Sequence, residues 1–483
     1  MHAPAQHDAA MSALFEAQRA ASRGDGLVPW EVRADRLKRL QALVRDNRAR
    51  IAAAISTDFG QRSRHETELL EINHVLDGIG HSLRHGRGWM KRSARDTGYK
   101  FWPGQAWILP QPLGVIGIVA PWNYPLELSL GPANSALAAG NRAMVKLSEL
   151  TPRFGELMAG LVARSFSADE LSIVNGGADT GRAFCALPFG HLLFTGSTAV
   201  GHQVMRAASD NLTPVTLELG GKSPAIIGLR AGPGDDYDKA VMRLMMGKTL
   251  NAGQTCIAPD YALIPRGQAG RFIASARRAI GGFFPEMATT PDYTSIVSER
   301  HYQRLQELVD DAVRRGATAW PLSDAASIPE RRLFVPVALT EVPAGSRVME
   351  EEIFGPVLPL VEYDDLEQAI RYINDRPRPL ALYLFDSDRK NVERVLGATV
   401  SGGVTVNDVF FHVGPDTLPF GGVGASGMGA YHGETGFHTF SHDKPVFRQP
   451  AFSLLSWVYP PYGRRAERLL RMPAGESQDR MRS

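Results

Sequence analysis

Phe194-Thr195-Gly196-Ser197-Thr198-Ala199-Val200-Gly201 is where the chain passes from one kind of structure to another. Before it, His191 to Thr195 reads as a strand. After it, Ala199 to Ser209 reads as a helix. Glycine at such a turn lets a dinucleotide approach the backbone, and the helix N-terminus favours phosphate charge. A plain tight turn fits the same residues, and no Gly-x-Gly-x-x-Gly fingerprint stands at any strand-to-helix turn. Working outward, Val115 to Ala120, Ala143 to Leu147 and Ser172 to Val174 read as further strands. Gly131 to Ala139 and Pro152 to Ser165 read as the helices between them. Alternation at this spacing implies a parallel sheet with helices on its faces. A second set follows, with strands at Ala225 to Ile227, Tyr261 to Ile264, Leu358 to Leu360 and Val404 to Asn407. Two α/β domains in series imply a cleft between them.

Residues 1–10 read as loose. Ser12 to Arg23, Trp30 to Asp58 and Arg64 to Met90 read as helices, the last two from apolar stripes opposite charged faces. Lys91 to Leu109 is basic and aromatic, with Gly98, Pro103 and Gly104, and reads as an excursion from the domain surface. Over 483 residues the composition is 44% hydrophobic and 22% charged, as in ordinary globular proteins. Lys and Arg number 53 against 51 Asp and Glu. That balance gives no broad field for a polyanion, so nucleic acid is not an expected partner. Two cysteines speak against a disulfide framework and for a reducing cytoplasm. The first residues lack a signal-peptide pattern, and no apolar run reaches the roughly 18 residues of a membrane span. The apolar stretch from Ala451 to Tyr459 is expected to dock on the protein's own surface.

Chemistry gathers in two short segments. Asn251-Ala252-Gly253-Gln254-Thr255-Cys256 puts a thiol on a glycine-bearing turn. Leu217-Glu218-Leu219-Gly220-Gly221-Lys222-Ser223-Pro224 puts a carboxylate beside a Gly-Gly pair. A thiol that attacks an aldehyde makes a thiohemiacetal; loss of hydride to a nicotinamide leaves a thioester, and Glu218 can activate the water that cleaves it. Asn123, in Pro121-Trp122-Asn123-Tyr124-Pro125, offers an uncharged amide donor for the oxyanion, joined by the backbone N–H of Cys256. Lys146 and Glu149 end a strand where ribose hydroxyls gather. A carboxylate there repels a 2′-phosphate. In Glu350-Glu351-Glu352-Ile353-Phe354-Gly355-Pro356 one carboxylate can grip a ribose while Phe354 packs beside the nicotinamide. Each feature taken alone also fits a plain reading: an inert thiol, a salt-bridged carboxylate, a solvated turn. Cys185 lies among apolar neighbours and reads as core filler. The histidines show no metal spacing (His432 and His438 stand six apart), and no metal site is expected.

Together these segments resemble the aldehyde dehydrogenase superfamily, from about residue 30 to about residue 450 and in that family's order. Pro259-Asp260-Tyr261, Leu418-Pro419-Phe420-Gly421-Gly422-Val423-Gly424 and Tyr459-Pro460-Pro461-Tyr462 are similar to its class 3 and fatty-aldehyde branch. Asn374-Asp375-Arg376-Pro377 and Ser401-Gly402-Gly403-Val404-Thr405-Val406-Asn407-Asp408 resemble bacterial coniferyl aldehyde dehydrogenases. The resemblance implies two Rossmann-type α/β domains and a β oligomerisation arm. Cofactor binding falls to residues 1–90 and 111–219 with 424–436, catalysis to 220–423, and the arm to 91–110 and 437–450, ahead of a tail, 451–483. It implies Cys256 as nucleophile, Glu218 as base and Asn123 as oxyanion donor. Trp122, Lys146, Glu149, Thr195, Gly196, Ser197, Gly201, Glu352 and Phe354 are implied as cofactor contacts. NAD is the expected cofactor, with NADP as the alternative, because Leu147 stands where relatives usually carry proline. A cytoplasmic homodimer oxidising coniferaldehyde or another aromatic aldehyde is the expected whole; a medium- or long-chain aliphatic aldehyde is the alternative substrate.

Overall fold

A computed structural model describes residues 3–98, 101–228, 235–452 and 459–471. The chain divides into two compact units, Met1–Trp89 with Pro112–Phe440 and Met90–Gln111 with Ser441–Ser483.

The larger unit holds two sheets. One has six strands in the order Gly427–Met428, Val215–Leu219, His191–Gly196, Val115–Val119, Arg142–Lys146 and Leu171–Val174. All its neighbours run parallel except the two-residue strand at the edge. Chain order reverses between Val115–Val119 and His191–Gly196. The turns after these two strands therefore flank a switch point, where such sheets bind ligands. The other sheet has seven strands: Thr318–Pro321, Val337–Thr340, Val357–Tyr363, Tyr261–Pro265, Pro224–Ile227, Ala381–Phe385 and Gly403–Val406. Only Thr318–Pro321 is antiparallel. Its central strands are apolar and buried along their length, as both-face coverage by helices requires.

The helices before the first sheet depart from their expected bounds. The first helix begins at Ala3, not Ser12. Its buried Met11 and Phe15 join the core, with the Phe15 ring 5.2 Å from Phe189. The expected helix from Trp30 to Asp58 is two, broken at Asn47. The Asn47 amide donates to the Leu43 carbonyl, a side-chain substitute for continued helix. Arg64 to Met90 is interrupted by a π-helical turn at Glu68–Ile72 before the helix Asn73–Trp89. Such turns insert an extra residue, often near functional sites. Here Glu71 within it is fully buried.

The smaller unit contains a three-stranded sheet of Ser93–Arg95, Gln105–Pro112 and Ser441–Arg448, with Gln105–Pro112 in the middle. The segment 437–450, expected to belong to the arm, is corrected at its start. Gly433–Thr439 is a helix of the larger unit, and strand begins at Ser441. Phe437 is held in that helix by burial against the Trp89 ring, 5.8 Å away. The expected docking of Ala451 to Tyr459 falls largely on 453–458, outside the described residues. No helix among the described residues is long and apolar enough to cross a membrane.

Candidate active site

Cys256 ends a loop with unusual backbone geometry. Asn251, Ala252 and Gly253 lie in succession at φ of 50°, 51° and 73°. Two non-glycine residues in the left-handed region cost of order 1–3 kcal/mol each and persist only where surroundings over-determine them. The surroundings here are specific. Glu66 accepts the Asn251 N–H at 2.9 Å. The Asn251 amide donates to the carbonyls of Asn123 (3.0 Å) and Gln254 (3.2 Å). The buried Gln254 amide donates to Asn251 (2.9 Å) and Ser295 (3.1 Å), and its oxygen accepts from Val297 N–H. A side chain at Gly253 would collide with the Gly355 carbonyl. The Asn-x-Gly-Gln spelling of the motif is therefore the loop's own scaffolding.

The oxyanion candidate meets this loop directly. Asn123 is buried, and one N–H of its amide donates to the Gln254 carbonyl at 3.1 Å. An amide has two such hydrogens, so one stays free to donate. The neighbouring Tyr124 hydroxyl bonds the Thr255 hydroxyl at 2.9 Å. Beneath both, Arg62 donates to the Asn123 carbonyl at 2.8 Å and pairs with Glu71 at 3.0 Å, both side chains fully buried. Glu71 in turn accepts the Leu126 N–H at 2.8 Å. Arg62 also lies over the Tyr124 ring, 4.8 Å from its centre. None of Arg62, Glu66 and Glu71 stands out in the sequence.

Glu218 sits inside the six-stranded sheet, paired with Thr195 on one side and Gly427 on the other. It is buried and neither carboxylate oxygen has a partner. Burial holds its carboxyl well above the ordinary range. Cys256 is half-buried. Burial pushes its thiol up to about 12, with Glu352 and Glu218 adding; its own N–H and that of Ile257 pull the other way. The thiol is thus protonated at neutral pH in this structure, beside a carboxyl group whose basicity is raised. The other cysteine, Cys185, is buried among Phe184, Phe189 and Leu192, its thiol pushed up to about 11 by burial.

The cofactor candidates fall into two groups. At the six-stranded sheet's edge, buried Lys146 pairs with half-exposed Glu149 at 3.3 Å. Ser197 caps the helix Thr198–Ser209, its hydroxyl accepting the Val200 N–H. Thr195 is buried with an unpartnered hydroxyl. Gly201 has a packing reason, since an added Cβ would stand 2.7 Å from Leu219, next to Glu218. Across from them, Trp122 packs on Phe354 at 5.4 Å. Glu352 accepts the Gly221 N–H, and a Cβ at Gly220 would collide with its carboxylate. One Glu352 oxygen is unpartnered; burial, with Asp260 adding, raises its carboxyl to about 8. A cavity of 1310 Å³ reaches past Thr198, Gly220, Lys222 and Glu352. A side-chain-free Gly-Gly floor, a capped helix N-terminus, and orphaned Thr195 and Glu352 oxygens suit a dinucleotide's phosphates and ribose hydroxyls.

Two features escaped the sequence. Lys248 is fully buried with no hydrogen-bond partner, its pKa lowered to about 8 by burial. And although no metal spacing is legible, the fold gathers His74, Glu127 and His432 so that their ligating atoms lie within 4.8 Å of one another.

A sheet switch point, a strained loop carrying a thiol, an amide bonded to that loop and a buried carboxylate without a partner are what the site offers. The profile of the Aldehyde dehydrogenase family matches residues 1–446, and the chain belongs to that family. It is an oxidoreductase acting on aldehydes, of a family that uses NAD(P). Among relatives, it is 48% identical over 460 residues to a "Probable coniferyl aldehyde dehydrogenase" of Pseudomonas aeruginosa, covering 95% of each chain. It is 47% identical over 423 residues to the "Coniferyl aldehyde dehydrogenase" of a Pseudomonas species, covering 87% of this chain and 86% of the other. Of solved structures, the substrate-bound state of AldH from Staphylococcus aureus superposes with a TM-score of 0.86 at 36% identity, over 91% of this chain and 94% of that one.

Proposed function

We propose that this enzyme oxidises a cinnamyl-type aromatic aldehyde such as coniferaldehyde to its acid through a thioester on Cys256, with NAD as cofactor. The carrying observation is the strained loop that ties Cys256 to Asn123, together with an unpartnered Glu218 near enough to act on the thiol's ionisation. The substrate class draws on the two coniferyl-named relatives.

The Cys256 sulfur, once ionised, adds to the carbonyl carbon. The second N–H of Asn123 and the Cys256 N–H receive the oxyanion. Bound NAD supplies a hydride acceptor. Glu218 takes a proton from the water that attacks the thioester, and sulfur leaves as thiolate while the acid forms. A carboxylate whose basicity burial raises suits that step. Glu352, Phe354 and Trp122 frame the nicotinamide end. Thr195, Gly196, Ser197 and Gly201 form the phosphate turn. Lys146 and Glu149 hold the adenosine ribose, where the carboxylate disfavours a 2′-phosphate and hence NADP. In this reading residues 1–90, 111–219 and 424–436 form the cofactor domain and 220–423 the catalytic domain. A cytoplasmic homodimer forms through 91–110 and 441–450.

Rapid-quench kinetics of Glu218→Gln test the chemistry. One equivalent of NADH in a burst, followed by stalled deacylation, is expected; steady turnover at the unmodified rate would sink the base. Comparing kcat/KM for coniferaldehyde and decanal with each cofactor tests the substrate. A higher value for decanal transfers the assignment to the aliphatic alternative.

A further inference from the structure

A continuous line of rings leads away from the nucleophile. The Tyr383 hydroxyl donates to the carbonyl of Ile257, the residue after Cys256, at 2.5 Å. The Tyr383 ring lies 6.0 Å from His412, which stacks at 6.5 Å on Phe420, which stacks at 5.5 Å on His432. On the other flank, Tyr124 is tied to Thr255, and Glu127 opens the helix that follows. The two flanks meet where His74 stands 3.6 Å from Glu127 and its ring 5.9 Å from that of His432. Tyr431 joins this meeting point to the chemistry: burial raises its hydroxyl's pKa, and Glu218, Glu127 and Cys256 all add.

The meeting point is polar and incomplete. One Glu127 oxygen and the His432 Nδ1 are buried without a hydrogen-bond partner. His432 is 7% exposed. A buried polar group left without a partner is costly. A hydroxyl satisfies both at once, donating through its hydrogen and accepting on its oxygen, whereas a hydrocarbon chain leaves both unmet. Burial raises the Glu127 carboxyl to about 7 and lowers His432 to about 3. A carboxyl that is partly protonated near neutrality beside an uncharged imidazole provides one donor and one acceptor.

We infer that Glu127 and His432, with His74 orienting Glu127, form a site that reads a hydroxyl at the far end of the aldehyde substrate, selecting hydroxyaryl aldehydes over O-alkylated or aliphatic ones. This rests on the aryl-aldehyde reading above and adds the group by which the substrate is chosen. The line of rings offers a flat aromatic face suited to a conjugated ring, and the polar end supplies discrimination. A site built to bond a hydroxyl rejects analogues lacking it far more strongly than an apolar pocket rejects an added one.

The test compares kcat/KM for coniferaldehyde and for its O-methyl ether, 3,4-dimethoxycinnamaldehyde, in the full-length enzyme, Glu127→Leu and His432→Phe. The native enzyme is expected to prefer the free phenol by roughly tenfold or more. The ratio is expected to fall towards one in both variants, each checked for folding by its thermal transition. A ratio near one in the native enzyme, or an unchanged ratio in both folded variants, overturns the hydroxyl site while leaving aryl-aldehyde oxidation intact. Decanal outperforming both cinnamyl aldehydes overturns the substrate assignment as well. Stoichiometric Zn²⁺ binding by the native enzyme, lost in Glu127→Leu, would reassign the cluster to a cation and overturn the proposal.

Discussion

The nucleophile loop and the Ser197 turn stand at opposite poles of rigidity. Residues 251–256 are fixed by bonds from Glu66, Asn251, Gln254 and Tyr124, and the strain of consecutive left-handed residues is held by that network. The turn at 195–197 is held by the sheet pairing of Thr195 and Gly196, the Ser197 cap, a bond from the Thr198 hydroxyl to the Ala425 carbonyl and packing at Gly201, and it leaves a buried Thr195 hydroxyl unmet. The bond-making loop is set before any ligand arrives, as electrostatic preorganisation demands. The edge proposed to face the phosphates keeps an unmet Thr195 hydroxyl.

Substitutions can break this contrast in order of severity. Cys256→Ala is expected to abolish aldehyde oxidation while NAD binding, followed by fluorescence titration, persists; surviving turnover would displace the nucleophile. Arg62→Met is expected to cost about 3–5 kcal/mol of stability, because it strands the buried Glu71 carboxylate. Urea denaturation would show that, and a loss below 1 kcal/mol would mean the loop does not depend on its buried ion pair. Asn123→Ala is expected to lose about 3 kcal/mol of transition-state stabilisation in kcat, as removal of an oxyanion donor does. At the looser pole, Ser197→Ala is expected to cost only about 1 kcal/mol as a lost helix cap. If Ser197→Ala unfolded the protein as readily as Arg62→Met, the contrast would be void.

The thiol gives a pH readout of the same preset loop. Burial, with Glu352 and Glu218 adding, places Cys256 at about 12, so the thiolate fraction climbs throughout the accessible range. Alkylation of the cofactor-free enzyme by iodoacetamide is expected to keep accelerating above pH 9, where a free thiol, with its pKa near 8.5, levels off. A plateau near pH 8 would show that burial and the neighbouring carboxyl groups do not hold the thiol up.

Much of this was legible because it is local. Helix Pro152–Ser165 falls on its expected bounds, and the strand at His191–Gly196 misses by one residue. The strand Ala381–Phe385 is not legible in the sequence. A short, fully apolar run has no period to separate strand from buried helix. The π turn was equally hidden, since Glu71 within it is buried against Arg62 and the Leu126 backbone, partners that no local pattern announces. Cys256, Glu218 and Asn123, the proposed nucleophile, base and oxyanion donor, were visible as motifs. Their supports were not: Glu66 reaches Asn251 across 185 residues, and nothing near Glu66 in the chain announces that bond. The His74, Glu127 and His432 cluster was invisible for the same reason, its members arriving from three separate elements.

The Arg62, Glu66 and Glu71 triad makes three distant stretches of chain interdependent: 62–71, 121–127 and 249–256. Recombining this enzyme with a relative at a single crossover would separate parts that fit only one another. Chimaeras should stay active when all three stretches travel from the same parent, so inheritance at this site works by the set and not by the segment.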